Sequence, residues 1–190
     1  MSTRENLVEA TADLLWERGY SATSPAMILA RAGVGQGSMY HHFRGKADLA
    51  HAAMEHVAAE MTDAVEGADD PSLPTLERVA AFLGRFRDPL RGCRIGRLVQ
   101  DAEVVGDDAL RGVADRYFRH LQGWLTDVLE AGRAAGELRP DADVEAAAAM
   151  VVAVVQGGFV LARAQQDPAP QQAAVRGALA ALGALRAGEQ

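Results

Sequence analysis

Residues 24–46, SPAMILARAGVGQGSMYHHFRGK, constrain the fold most, because they spell two short helices around a turn that glycine closes at least cost. Ser24 can accept a hydrogen bond from the free amides of a first helical turn, and Pro25 gives up an amide that has no partner there. Met27, Ile28 and Ala32 follow at helical spacing and form one packed edge. Gly33 supplies the left-handed conformation that ends this helix, and Val34 fills the angle to the next. The second helix starts near Gly35 or Gln36 and runs about two turns to Phe43, where Arg44-Gly45 stops it.

In that second helix Met39 and Phe43 lie four apart and point inward, which leaves Gln36, Gly37, Ser38, Tyr40 and His41 outside. An outward set of amide, hydroxyl, phenol and imidazole groups suits a helix lying in a DNA major groove. Gln bonds adenine in two places, Ser and Tyr reach phosphate oxygens, and Gly37 lets the backbone approach closely. Lys46 opens the following helix and adds a point charge for the same phosphates. The bland alternative is a helical hairpin that packs and binds nothing.

The run from Val34 to Leu49, VGQGSMYHHFRGKADL, resembles the signature of the TetR family of one-component transcriptional regulators. Upstream, Gly19-Tyr20-Ser21-Ala22-Thr23-Ser24 and Ile28 resemble that family's entry into its helix-turn-helix, so the likeness covers about the first 50 residues. It implies an all-α fold with an N-terminal DNA-binding head at 1–46 and a C-terminal effector-binding and dimerisation body at 47–190. It adds Thr23 and Ser24 to the expected DNA contacts. Gly35 stands where the family usually has a Ser cap, a change costing only a few tenths of a kcal/mol or so. Ala26-Met27 replace acidic residues and Leu29 replaces a small Ala, which shifts the packing of the two helices but removes no group that would touch DNA.

Charge bears on this reading because the chain carries a formal −7 and DNA is a polyanion. Residues 1–50 balance, with Arg4, Arg18, Arg31, Arg44 and Lys46 against Glu5, Glu9, Asp13, Glu17 and Asp48, so the whole negative excess lies beyond them. A neutral head with Arg44, Lys46 and two histidines can meet phosphates while the acidic body is held away.

With 190 residues and 49% apolar content, the chain can bury a substantial core, and its Ala, Leu and Val favour helices. About nine helices are expected. Residues 4–18 place Leu7, Ala10, Leu14 and Leu15 on one face, and residues 46–65 form a connector with Leu49, Ala53, Val57 and Met61 inward. Residues 67–71, GADDP, read as a linker. Helices are then expected at 73–87, in a short stretch ending at Val105, from Asp107-Asp108 to Gly136, at 143–165 and at 171–186. The first residues lack an apolar signal core, and Ser2 with Glu5 reads as a capping box. A single cysteine forms no internal disulfide and fits a reducing cytoplasm. Residues 146–162 are the one membrane candidate, but they are short, rich in Ala and Gly and contain Gln156, so a buried helix is preferred.

The stretch 143–165 is apolar almost all round, and 171–186 sets Val175, Leu179, Leu182 and Leu185 along one side. The family resemblance implies that these two helices pair with their copies in a homodimer, which would set two recognition helices about 34–36 Å apart or at related spacings, over a palindromic double-stranded operator. It also implies a small-molecule effector site in the body. Candidate lining residues are Phe82, Phe86, Gln100, Tyr117, His120, Trp124, Gln156 and Phe159. Cys93 is added because Arg91, Arg94 and Arg97 surround it at an expected helix start, where cations and helix dipole favour a thiolate. The run Gly92-Cys93-Arg94-Ile95-Gly96 also resembles a motif in a branch of TetR-like regulators, some of which respond to electrophiles or oxidants; a small buried hydrophobe is the alternative.

Catalysis is not expected, nor a cofactor. His51 and His56 lie five apart, off the i, i+4 spacing of a helical metal pair, and the chain has no Gly-x-Ser-x-Gly elbow. The expected function is a ligand-responsive DNA-binding regulator, most simply a repressor. The rival is a helical small-molecule-binding or protein-interaction dimer that does not touch DNA.

Overall fold

Ser2 opens the first helix by a reciprocal capping box: its hydroxyl accepts from the Glu5 amide at 3.2 Å while the Glu5 carboxylate accepts from the Ser2 amide at 2.7 Å. The structure, a computed structural model, describes residues 2–85 and 88–188. Within them are nine α-helices: α1 Thr3–Arg18, α2 Pro25–Ala32, α3 Gln36–His42, α4 Lys46–Glu66, α5 Thr75–Leu83, α6 Ala102–Gly106, α7 Asp108–Ala134, α8 Val144–Gln165 and α9 Ala169–Gly183. A single 3-10 turn, Leu98–Gln100, precedes α6. The only extended pairing among the described residues is an antiparallel bridge between Leu138 and Arg186.

Three helices differ most from expectation. The helix expected from residue 73 starts at Thr75, because Leu73 precedes Pro74 and that position disfavours helical backbone. It ends at Leu83, and the rest of the expected span, including Phe86 and Arg87, lies outside the described residues. The short helix before Val105 is broken by Asp101, which is extended at φ −91°, ψ 120° and caps α6 instead. The last helix runs from Ala169 to Gly183, earlier than expected at both ends, and Leu185 then gives its carbonyl to the Arg139 amide at 2.8 Å.

The chain divides into two compact units. One comprises the residues up to Thr62 together with Cys93–Tyr117; the other comprises Asp63–Gly92 and everything from Phe118 on. The division expected from the resemblance lies at residue 46, whereas the compact units divide inside α4, between Gly92 and Cys93, and inside α7. In the first unit Leu7, Ile28, Met39, Leu49, Met54, Ile95 and Leu110 are fully buried, each worth about 1.5–3 kcal/mol of transfer free energy. The α1 face expected from spacing is buried as drawn, while on α4 Met54 is buried and Met61 only half-buried.

In the second unit α8 and α9 form the most extensive helix pair. They approach closely at Gly158, where an added Cβ would stand 3.0 Å from Gln171 Cγ. Similarly, an added Cβ at Gly132 of α7 would lie 2.7 Å from Thr75 Cβ, so glycine there is what lets α5 and α7 meet. The linker is pinned by charge: Arg78 Nε and Nη2 donate to the two oxygens of Asp69 at 2.8 and 2.6 Å, and Trp124 Nε1 donates to the same carboxylate at 3.2 Å. Helix α8 is long and apolar enough to cross a membrane, with a mean hydropathy of 1.9, and its Val151, Val155 and Ala162 are buried.

Two consequences are measurable. Gly132→Ala forces the Thr75 contact apart and should cost about 1–3 kcal/mol in urea unfolding. Asp69 is held below the usual carboxylate range by the Arg78 guanidinium bonded to it, with help from Trp124, against the opposing effect of burial. A carboxyl depressed in this way binds fewer protons folded than unfolded, so its contribution is present above about pH 4 and is lost as pH falls through the lowered value. The urea midpoint should therefore drop on acidification below about pH 4, and Asp69→Asn should lower the neutral midpoint while making that drop shallower.

Candidate nucleic-acid interface

Thr23 and Ser24 set the entry to the helix pair, and the structure gives them different tasks. Ser24 Oγ accepts from the Met27 amide at 3.3 Å and stays exposed at the start of α2. Thr23 is 1% exposed, and its hydroxyl donates to the Gly19 carbonyl at 2.7 Å. Its hydroxyl is thus engaged at the end of α1 and turned away from solvent, although Thr23 was expected among the DNA contacts. Gly19 at φ +86° and Gly33 at φ +67° close α1 and α2, and the Val34 amide reaches back to the Leu29 carbonyl at 3.1 Å.

Helix α3 begins at Gly35 without a side-chain cap. Met39 is fully buried and Phe43 is 5% exposed, so the inward pair falls where the spacing put it. The opposite face carries Gln36, Gly37 and His41 in solvent, Tyr40 at 56% exposure, and Ser38 half-buried. His42 is exposed as well, its ring 4.9 Å from that of His41. An amide, a phenol and two imidazoles therefore project from about two turns of helix with no competing burial.

Lys46 is held rather than free: its ammonium lies 3.9 Å from the centroid of the Tyr20 ring. Tyr20 is buried, and burial, followed by the charges of Glu103, Asp107 and Asp101, pushes its phenol up. Arg44, expected with Lys46 to meet phosphates, stands beside the end of α3. Its side chain is 91% exposed, and it is steered by Asp48, which accepts from the Arg44 amide at 3.0 Å and from its guanidinium at 2.8 Å. Those bonds from Arg44 hold the Asp48 carboxyl below its ordinary range. The i, i+4 spacing of Arg44 and Asp48 was the sequence signal for this arrangement.

The expected effector residues divide between the units. Phe82 and Trp124 come together, ring centroids 5.5 Å apart, but the indole N–H already serves Asp69. Phe159 is buried, Gln156 is half-buried, and His120 is exposed with Nε2 2.9 Å from Glu66 Oε1. Cys93, Gln100 and Tyr117 belong to the other unit; Gln100 is exposed at the end of the 3-10 turn and Tyr117 is buried. Phe86 lies outside the described residues.

Cys93 does not start an α-helix. It follows Gly92 at φ +76°, is 7% exposed, and its Sγ accepts from the Gly96 amide at 3.2 Å. Arg94 turns to Glu60 at 2.8 Å and Arg97 donates to the Trp16 carbonyl, so two of the flanking cations are engaged elsewhere and no helix dipole acts at Cys93.

Comparison with known proteins accords with this geometry. The family profile for bacterial regulatory proteins of the tetR family matches residues 7–53, and that for the tetracyclin repressor-like C-terminal domain matches residues 75–178. The transcriptional regulator AcuR of Cereibacter sphaeroides is 31% identical over 87% of this chain and 78% of its own length. The HTH-type transcriptional repressor DhaR of a Mycobacterium species is 24% identical over 88% of this chain and 85% of its own. A crystal structure of the regulatory protein TetR from Rhodobacter sphaeroides superposes with a TM-score of 0.84 at 29% identity, covering 94% of this chain and 98% of that one. With its exposed α3 face and these matches at both ends, the chain belongs to the TetR family and is a DNA-binding transcriptional regulator.

Proposed function

We propose that this protein is a homodimeric repressor that reads an approximately palindromic operator and releases it when a small molecule binds its body. The observation that carries the DNA-reading part is the outward set Gln36, Gly37, Tyr40 and His41 over a buried Met39 and Phe43. Residues 1–46 present it, with Ser24, Ser38, Lys46 and Arg44 placed for phosphates, and residues 47–190 supply effector binding and dimerisation. The DhaR relative is named a repressor, which favours repression over activation.

Dimerisation is supported by an uncovered apolar strip. On α8 Ala146, Ala149, Ala153 and Gly157 are exposed, and Val160 and Leu161 are 49% and 47% exposed. On α9 Ala173, Gly177, Ala180 and Ala181 are exposed likewise. Small residues let backbones approach, and a second copy of the same pair is the self-complementary cover that a two-fold dimer requires. The effector is assigned to the second unit, where Phe82, Trp124, Gln156 and Phe159 offer aromatic surface with few polar handles. Binding there shifts α4, and with it the separation of the two heads. No catalytic step is assigned, and the site of action is the cytoplasm, where the operator is.

Selection of bound fragments from random double-stranded DNA tests the reading. The winning sites should be inverted repeats, and binding should weaken steeply with salt. Tyr40→Phe and Lys46→Ala should weaken binding by a similar factor on every sequence. Gln36→Ala should mainly flatten preference at one base position per half-site, at about 1–3 kcal/mol of discrimination. Equal effects of all three substitutions, or recovery of no inverted repeat, would remove the assigned roles.

A further inference from the structure

The segment that follows Cys93 is built into the same compact unit as the helix-turn-helix, although it stands far from it in sequence. Ile95, Leu98 and Val104 are buried, and Ile95 and Leu98 line a small recess with Ala12 and Leu15 of α1 and with Ala53, Met54 and Val57 of α4. Polar contacts fix the register of this packing. Arg97 donates to the Trp16 carbonyl near the end of α1, and the Arg94 guanidinium stands 5.5 Å from the Trp16 ring while paired to Glu60.

Asp101 makes the most specific of these contacts. One oxygen accepts from the Ser21 amide at 2.8 Å, and the other accepts from the Ser21 hydroxyl at 2.6 Å and from the Glu103 amide at 3.1 Å. The same carboxylate thus caps α6 and closes on the turn between α1 and α2. Glycine at position 19 supplies the φ of +86° on which the chain turns beside Asp101. Although burial opposes it, the Ser21 hydroxyl and the amides of Ser21, Glu103 and Tyr20 hold the carboxyl below its ordinary range, so it is ionised at neutral pH.

The turn held in this way is the one from which the DNA-reading elements hang. Its far end is Ser24, the cap of α2; Thr23 ties it to Gly19; and Tyr20 carries Lys46 on its ring. A displacement of Ser21 therefore moves the start of α2 and the seat of Lys46 together. We infer that Asp101 is a positioning residue for operator binding: its carboxylate fixes the α1–α2 turn, and a movement of the segment from Cys93 to α6 reaches the recognition helix through that contact without passing along α4. The inference rests on the DNA-binding reading above.

The test compares wild type, Asp101→Asn and Ser21→Ala by anisotropy titration of the operator that wild type selects, with active fractions fixed by stoichiometric titration. Asn keeps the α6 cap, since it caps as well as Asp. It turns an NH2 toward a donor, so one of the amides loses its acceptor. Affinity should fall on the order of ten-fold in Asp101→Asn and about three-fold in Ser21→Ala, with an unchanged salt slope because no phosphate contact is lost. Ser21 amide hydrogen exchange should quicken in both variants while the unfolding midpoint stays near that of wild type. Electrostatics alone predicts the opposite sign, because removing a negative charge from the DNA-binding unit tightens binding to a polyanion. Unchanged or tighter binding by folded Asp101→Asn overturns the inference. If that variant is poorly folded, Ser21→Ala decides, since it retains the charge and the cap, and wild-type affinity in it is equally fatal. Failure of wild type to select any operator is a separate outcome that overturns the DNA-binding reading and this inference with it.

Discussion

The burial of Met39 and Phe43 beneath a seven-residue helix is the constraint on which the rest depends. A helix this short has no stability of its own, since isolated helices below about 12–15 residues are marginal in water. Its existence is therefore a tertiary fact: the two apolar side chains anchor it, α1 and α2 receive it, and what remains is a polar face that nothing in its unit covers. Function follows from leaving that face empty of internal partners. Glycine at 37 costs helix propensity, and both Gly35 and Gly37 clear the backbone for a close approach.

Around that anchor, the first unit is an assembly of segments distant in sequence. Ends of α1 and α2 meet at Gly19–Ser24, α4 contributes Lys46 to the Tyr20 ring, and Asp101 closes on Ser21. The left-handed corners at 19 and 33 carry glycine, and short polar residues cap α1, α2 and α6. The second unit relies instead on small residues. Gly132 and Gly158 bring α5 to α7 and α8 to α9, while alanine-rich faces of α8 and α9 remain exposed.

Helices with strong periodicity and explicit caps were legible in the chain itself. Ser2 with Glu5, Ser24-Pro25 and Gly33 marked their boundaries because each acts through its own backbone within a few residues. The α3 face was legible for the same reason. The burial of Thr23 was not legible, because a threonine next to a cap looks exposed until the Gly19 carbonyl is brought over it. Asp101 and Arg97 gave no local sign at all, since their partners Ser21 and Trp16 stand about eighty residues earlier. Cys93 illustrates the converse: flanking arginines suggested an activated thiol, but Glu60 and the Trp16 carbonyl, both remote in sequence, draw two of those cations away.

The central claim is that the outer side of α3 meets base edges from each half of a dimer. The most direct measurement places a photo-cross-linking side chain at position 36, and separately at position 26 on the exposed side of α2, in the protein bound to its selected operator. The account predicts adducts from position 36 to bases at two symmetry-related positions on the major-groove edge, with position 26 giving few base adducts. Abundant adducts from position 26 and none from position 36 would contradict it, and would mean that another surface of this protein holds the DNA.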